Sequence, residues 1–147
     1  MKYTCEITID LPRDRVVELM DSVENMYKWQ DGLQDVEPLS GEPGQVGSKM
    51  ILHQKVGSKV IPITETVTRR DLPDSIAFTY ETKGVFNPLA NTFSETDDGR
   101  TIWRIDTEFQ CSGFLKVMTW IMPGMFRKQT LKMMNDFKIF AEGEGPA

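Results

Sequence analysis

The sequence predicts an α+β fold: an antiparallel sheet of seven strands in the chain order β-α-α-β6-α, closed by a long C-terminal helix. Three observations carry this reading. The first residues alternate between polar and apolar with period two. Two short helical segments are followed by six more strand-like runs, separated by Gly, Pro and Asp-Gly turn chemistry. The chain then ends on a stretch of helical periodicity. No internal repeat, low-complexity segment or linker divides it, so residues 1–147 read as one domain.

Each element has a local cause. Tyr3, Cys5, Ile7, Ile9 and Leu11 alternate with Lys2, Thr4, Glu6, Thr8 and Asp10, the pattern of a strand with one wet face. Pro12 ends that strand and suits the first turn of a helix, where its missing N–H is not needed. Val16, Val17, Leu19 and Met20 give a short helix, and a second runs from Ser22 through Trp29 with Ser22 as its cap. Strands follow at residues 35–39, 48–55, 59–70, 75–83, 89–96 and 100–110. Pro88 cannot donate to a ladder, so the sixth strand is expected to start after it. Phe126, Thr130, Met133, Phe137, Phe140 and Ala141 fall on one helical face. Upstream of it, Val117, Trp120, Ile121 and Met122 are apolar on every side, and Pro123 is expected to kink or break the helix there.

Composition narrows the function. Hydrophobic residues make up 39% and charged residues 27%, normal for a globular protein. A net charge of −5 without a dense Lys/Arg block argues against nucleic acid as a partner. The most apolar window, 117–126, is far short of a membrane span, and the N-terminus lacks a signal peptide's apolar run. No membrane insertion is expected, and the residues read as a reduced, cytoplasmic domain. Cys5 and Cys111 lie far apart and His53 is the single histidine, so neither metal nor cofactor is expected. Strand parity places His53 on the outer face, and no Gly-x-Ser-x-Gly elbow accompanies it. Gly41, Gly44 and Gly47 join two strands, which makes them a turn rather than a phosphate loop.

Particular residues carry a resemblance. Ile7-x-Ile9-x-Leu11-Pro12 leads into the first helix, and Trp29 ends the second. Gly41-x-x-Gly44-x-x-Gly47-Ser48 precedes the third strand, Glu65-Thr66-Val67 sits in the fourth, and Phe137-Lys138-x-Phe140-Ala141-Glu142 closes the last helix. In this order the chain resembles the SRPBCC superfamily: lipid-transfer START domains, the birch-pollen allergen family and polyketide cyclase/dehydrase-like proteins. The resemblance implies the helix-grip fold, a curved sheet wrapped around the long C-terminal helix with a cavity between them. That fold hosts binders, carriers and enzymes alike.

The candidate site follows from strand parity. Met50, Leu52, Ile63, Glu65, Phe78, Tyr80, Phe93, Trp103 and Ile105 are expected to face inward. Met118, Met122, Phe126 and Met133 are expected to line the same cavity from the helical side, methionine being suited to an adaptable apolar pocket. Glu65 is the one carboxylate on its apolar strand face, so its pKa should rise. It is a candidate ligand partner or general acid–base, or a carboxylate satisfied by a neighbour. Meander geometry brings Val85, Phe86, Phe114 and Leu115 to one sheet end as the cavity mouth, with residues 85–88 as a gating loop. The expected activity is binding of a small hydrophobic molecule, with Glu65 and Tyr80 orienting its polar end. The rivals are a cyclase/dehydratase-type enzyme using Glu65 and an interaction module that docks or self-associates through the apolar mouth.

Overall fold

A computed structural model describes residues 1–147. β1 (Lys2–Ile9) is followed by α1 (Arg13–Met20) and α2 (Val23–Trp29). Then come β2 (Leu33–Ser40), β3 (Lys49–Val56), β4 (Lys59–Asp71), β5 (Ser75–Thr82), β6 (Val85–Glu95), β7 (Thr101–Glu108) and the short β8 (Gln110–Cys111). The chain closes with α3 (Phe114–Ile121) and α4 (Pro123–Glu144). The strands form one antiparallel sheet in the order β1-β7-β6-β5-β4-β3-β2, with β8 paired to the start of β6. This is the α+β helix-grip arrangement that the sequence predicts.

Local chemistry sets the element ends. The Ser22 hydroxyl accepts from the Asn25 N–H at 3.1 Å and caps α2. Pro12 stands one residue before α1 as its N-cap rather than inside its first turn. Two boundaries differ from the sequence reading, and the helix break falls where Pro123 is expected to put it. The strand expected at 100–110 divides at Phe109 into β7 and β8. The C-terminal helix is two helices, parted at Met122 (φ −131°, ψ 59°), and Pro123 opens α4, where a missing N–H does no harm. β6 begins at Val85, not after Pro88. Pro88 is tolerated because the flank of β6 changes partner there, from β7 opposite Leu89 to β8 opposite Phe86. The Asn87 side chain fills that gap, donating to Thr107 Oγ1 and the Glu108 carbonyl, both at 2.7 Å.

α4 is fixed to one side of the sheet. Phe137 is fully buried and meets Trp29 and Trp103 edge-on, with ring centroids 5.1 and 5.4 Å away. The Trp103 indole donates to Asn91 Oδ1 at 3.0 Å, and the Asn91 amide donates to the Ile76 carbonyl at 3.2 Å. Met134, Phe137 and Ala141 form the buried stripe of α4, whereas Met133 is only half-buried. Nearer its start, α4 is tied by the Tyr3 hydroxyl, which lies 2.7 Å from Thr130 Oγ1 and donates to the Phe126 carbonyl at 3.0 Å.

The outer edge of β1 is closed by α4 side chains. Arg127 donates to the Thr4 carbonyl and Lys138 to the Thr8 carbonyl, both at 2.7 Å, while Glu142 accepts from the Asp10 N–H at 2.8 Å. The opposite edge, β2, contains Pro38 and two register irregularities, and exposes Asp35 and Glu37. Apolar packing is divided. The larger cluster joins β1, β6, β7, α1 and α4, and a smaller one gathers Met26, Leu33, Met50 and Leu52.

Phe137→Ala is expected to cost about 3–5 kcal/mol of stability, because it removes a ring packed on both faces of the helix seat. Ile139→Ala, at a position 73% exposed, should stay within about 0.5 kcal/mol. Urea unfolding of the two variants checks the contrast.

Candidate functional site

The site lies where the two apolar clusters part. Along β4, Ile61, Ile63, Glu65 and Val67 share the inner face. Sheet register then aligns Met50, Glu65, Tyr80 and Asn87 in one row across β3, β4, β5 and β6. A second row runs through Val67, Phe78, Leu89, Thr107 and Tyr3. Ile63 and Tyr80 border the smaller cluster, while Phe78 and Leu89 border the larger. α4 covers the β1 side, so the inner face of β3 to β5 is the part left to enclose a guest.

Glu65 is 7% exposed. Burial drives its pKa up to about 7, and the Tyr80 hydroxyl opposes this only in part. Burial and the neighbouring carboxyl raise the Tyr80 pKa well above the usual phenol value. The Tyr80 hydroxyl lies beside the carboxyl and favours its charged form. The oxygens of Glu65 and Tyr80 bond no other protein group. Asn87, next in the row, spends its amide nitrogen on Thr107 and Glu108. A carboxyl that titrates near neutrality can donate to a carbonyl, accept from a hydroxyl, or move a proton.

The other expected residues are placed as follows. Met50, Leu52, Phe93, Trp103 and Ile105 are buried on the inner face, and Ile63, Phe78 and Tyr80 are half-buried there. Phe93 and Trp103 stack with centroids 6.3 Å apart, inside the larger cluster rather than beside Glu65. Phe126 packs on Phe109 at 5.1 Å, and Met133 lies against the larger cluster. On α3, Met118 and Leu115 are half-buried, whereas Phe114 and Met122 are exposed. Residues 85–88 are strand, not a loop. Val85 shares the inner parity of Asn87, but Phe86 shares the outer parity of Pro88 and stands at the rim. His53 lies on the outer face, 3.8 Å from Glu37. Arg70 donates to the Gly44 carbonyl at 3.1 Å and pairs with Asp21, which makes the glycine segment a tethered turn. No three His, Cys, Asp or Glu side chains gather to hold a metal ion.

Two surface depressions lie away from this row. One, of about 540 Å³, spreads mainly over the outer face at Ala77, Thr79, Pro88 and Ala90. The other, about 630 Å³, lies between the end of α2 and α4. Sequence reasoning missed Asn87 and Asn91, because an isolated Asn reads as a turn residue until its strand register is known.

A model of the family described as polyketide cyclase / dehydrase and lipid transport matches residues 1–136. Among solved structures, the chain is similar to the Zhui aromatase/cyclase from Streptomyces sp. R1128, with 16% identity and a TM-score of 0.76 over 100% of this chain and 99% of that one. It is similar to a START superfamily protein from Mycobacterium smegmatis, with 8% identity and a TM-score of 0.81 over 97% of each chain. A protein from Thermus thermophilus gives 11% identity and a TM-score of 0.80 over 99% of each. At these identities the likeness is one of fold. No curated protein matches the sequence.

The raised pKa has a consequence for stability. Between pH 4.5 and about 7 the folded state keeps a proton on Glu65 that the unfolded chain has released. Glu65's contribution to stability therefore falls as pH rises through that window and levels off above it. The interval is worth at most about 3 kcal/mol. Urea unfolding at about pH 5 and about pH 8 should show the wild type losing stability relative to Glu65→Gln; identical pH slopes would mean that Glu65 titrates as a surface carboxylate.

Proposed function

The chain belongs to the polyketide cyclase / dehydrase and lipid transport family, and on that premise we propose that it binds a small hydrophobic molecule with one polar end. One observation carries the reading. Glu65 and Tyr80 place a carboxyl and a phenol beside each other on a largely apolar inner face, between two separately packed clusters. Apolar burial along Leu52, Ile63 and Phe78 supplies affinity at roughly 25 cal/mol per Å² before ordering costs. The carboxyl and phenol set the orientation by bonding a hydroxyl or carbonyl of the guest.

A specific observation favours a second reading. Glu65 titrates near neutrality and has a phenol beside it, the pairing needed for general acid–base chemistry on a polyketide-like ketone. The two readings share the site and differ in whether bound material leaves unchanged.

Native mass spectrometry of freshly purified protein is expected to show a co-purifying hydrophobic mass, and a hydroxylated anthraquinone should displace it. Glu65→Leu, which keeps apolar surface and removes both polar atoms, should weaken anthraquinone binding by at least about tenfold. Glu65→Gln should weaken it less, since the amide still donates and accepts. Protein that carries no such mass, and takes up no anthraquinone while folded, would refute the binding reading. Chemical change of a bound polyketide-like ketone that Glu65→Gln abolishes would establish the enzymatic one.

A further inference from the structure

α3 turns its most hydrophobic face to solvent. Leu115, Met118 and Thr119 point inward and are half-buried, whereas Phe114 (75% exposed), Val117, Trp120 (83%) and Ile121 form the outer face. Nothing in the chain covers them. This face lies at the sheet end where the β3–β4 and β5–β6 hairpins turn, since Ser112 donates to the Gly84 carbonyl at 2.9 Å.

Lysines mark the hairpin tips at that end, with the carboxylates of Asp31, Glu81 and Glu108 at the neighbouring strand ends. The hairpin tips carry Lys55, Lys59 and Lys83, and Lys116 lies beside Trp120 on α3. All four are exposed and join none of the chain's ion pairs. No carboxylate occurs between Glu108 and Asp136. The turns at the opposite sheet end carry Glu42, Asp71, Asp74, Asp97 and Asp98. A chain of net charge −5 thus carries unpaired lysines at the same sheet end as this exposed apolar face.

We propose that this end docks on an anionic lipid bilayer, with Phe114, Trp120 and Ile121 in the interface and Lys59, Lys83 and Lys116 against lipid headgroups. Indole and lysine side by side on a short, non-spanning helix suit the interfacial zone. No helix of the chain is long and apolar enough to cross a membrane. The docking proposed is therefore of α3 side chains at the interface and involves no membrane span. A second copy is a poorer occupant, because a two-fold contact through α3 would bring the same lysines of both copies together. Docking here sets Val85, two residues along β6 from Asn87 of the Glu65 row, toward the lipid.

Trp120 is its own reporter, because Trp29 and Trp103 are buried. Vesicles of phosphatidylcholine with phosphatidylglycerol should shift its emission to the blue and sediment with the protein, whereas phosphatidylcholine alone should bind several-fold less. Trp120→Ala should lower partitioning by about tenfold, and Lys83→Glu with Lys116→Glu by about fivefold or more per lysine, with unchanged far-UV circular dichroism. The vesicle assay requires no guest in the Glu65 site, so it stands or falls separately from the binding reading. Absence of vesicle binding, or binding indifferent to Trp120 and to headgroup charge, would overturn the proposal. A Trp120-dependent dimer in sedimentation velocity, without vesicle uptake, would overturn it in favour of self-association.

Discussion

The seating of Phe137 between Trp29 and Trp103 is the contact on which the rest of the architecture depends. It presses α4 against the β1–β7 side of the sheet, and the indole of Trp103 is itself held by Asn91. Close packing on that side consumes the large aromatic side chains. The β2–β5 side keeps only the small cluster around Met26 and Leu52. An interior packed evenly throughout would have no place for Glu65. One divided in this way can keep a carboxyl desolvated without sealing it from every guest.

That division also explains why the carboxyl is chemically useful. A buried Glu with an arginine partner would be locked as an anion, and an exposed one would titrate near its ordinary value. Glu65 has no cationic partner and little solvent. Its nearest polar companion is a phenol whose own acidity is suppressed by the same surroundings. The carboxyl therefore gains or loses its proton near neutral pH at little cost.

Strand identity and the inward parity of Glu65 were legible in the sequence, because both depend on residues one or two positions apart. The alternation of Ile61, Ile63, Glu65 and Val67 was enough to single out the carboxyl. Facts that depend on distant neighbours were not legible. Pro88 is compatible with β6 only because β7 gives way to β8 beside it. The row joining Glu65, Tyr80 and Asn87 requires three hairpin registers at once. Met134 rather than Met133 is fully buried because docking against β1 fixes the rotation of α4, which periodicity alone leaves free by about 100° per residue.

The side-chain bonds from α4 to β1 bear on how the chain avoids strand exchange with other molecules. An open sheet has two rows of unused backbone groups, and an incoming strand can pair with either. At β2, Pro38 and the irregular register spoil the template. At β1 the protection is conditional, since Arg127, Lys138 and Glu142 occupy the backbone groups only while α4 is docked. Release of the whole C-terminal helix to admit a guest would also unmask an edge that favours aggregation. The break at Met122 separates the two duties. Movement of α3 alone would leave these α4 bonds, and with them the closed β1 edge, in place.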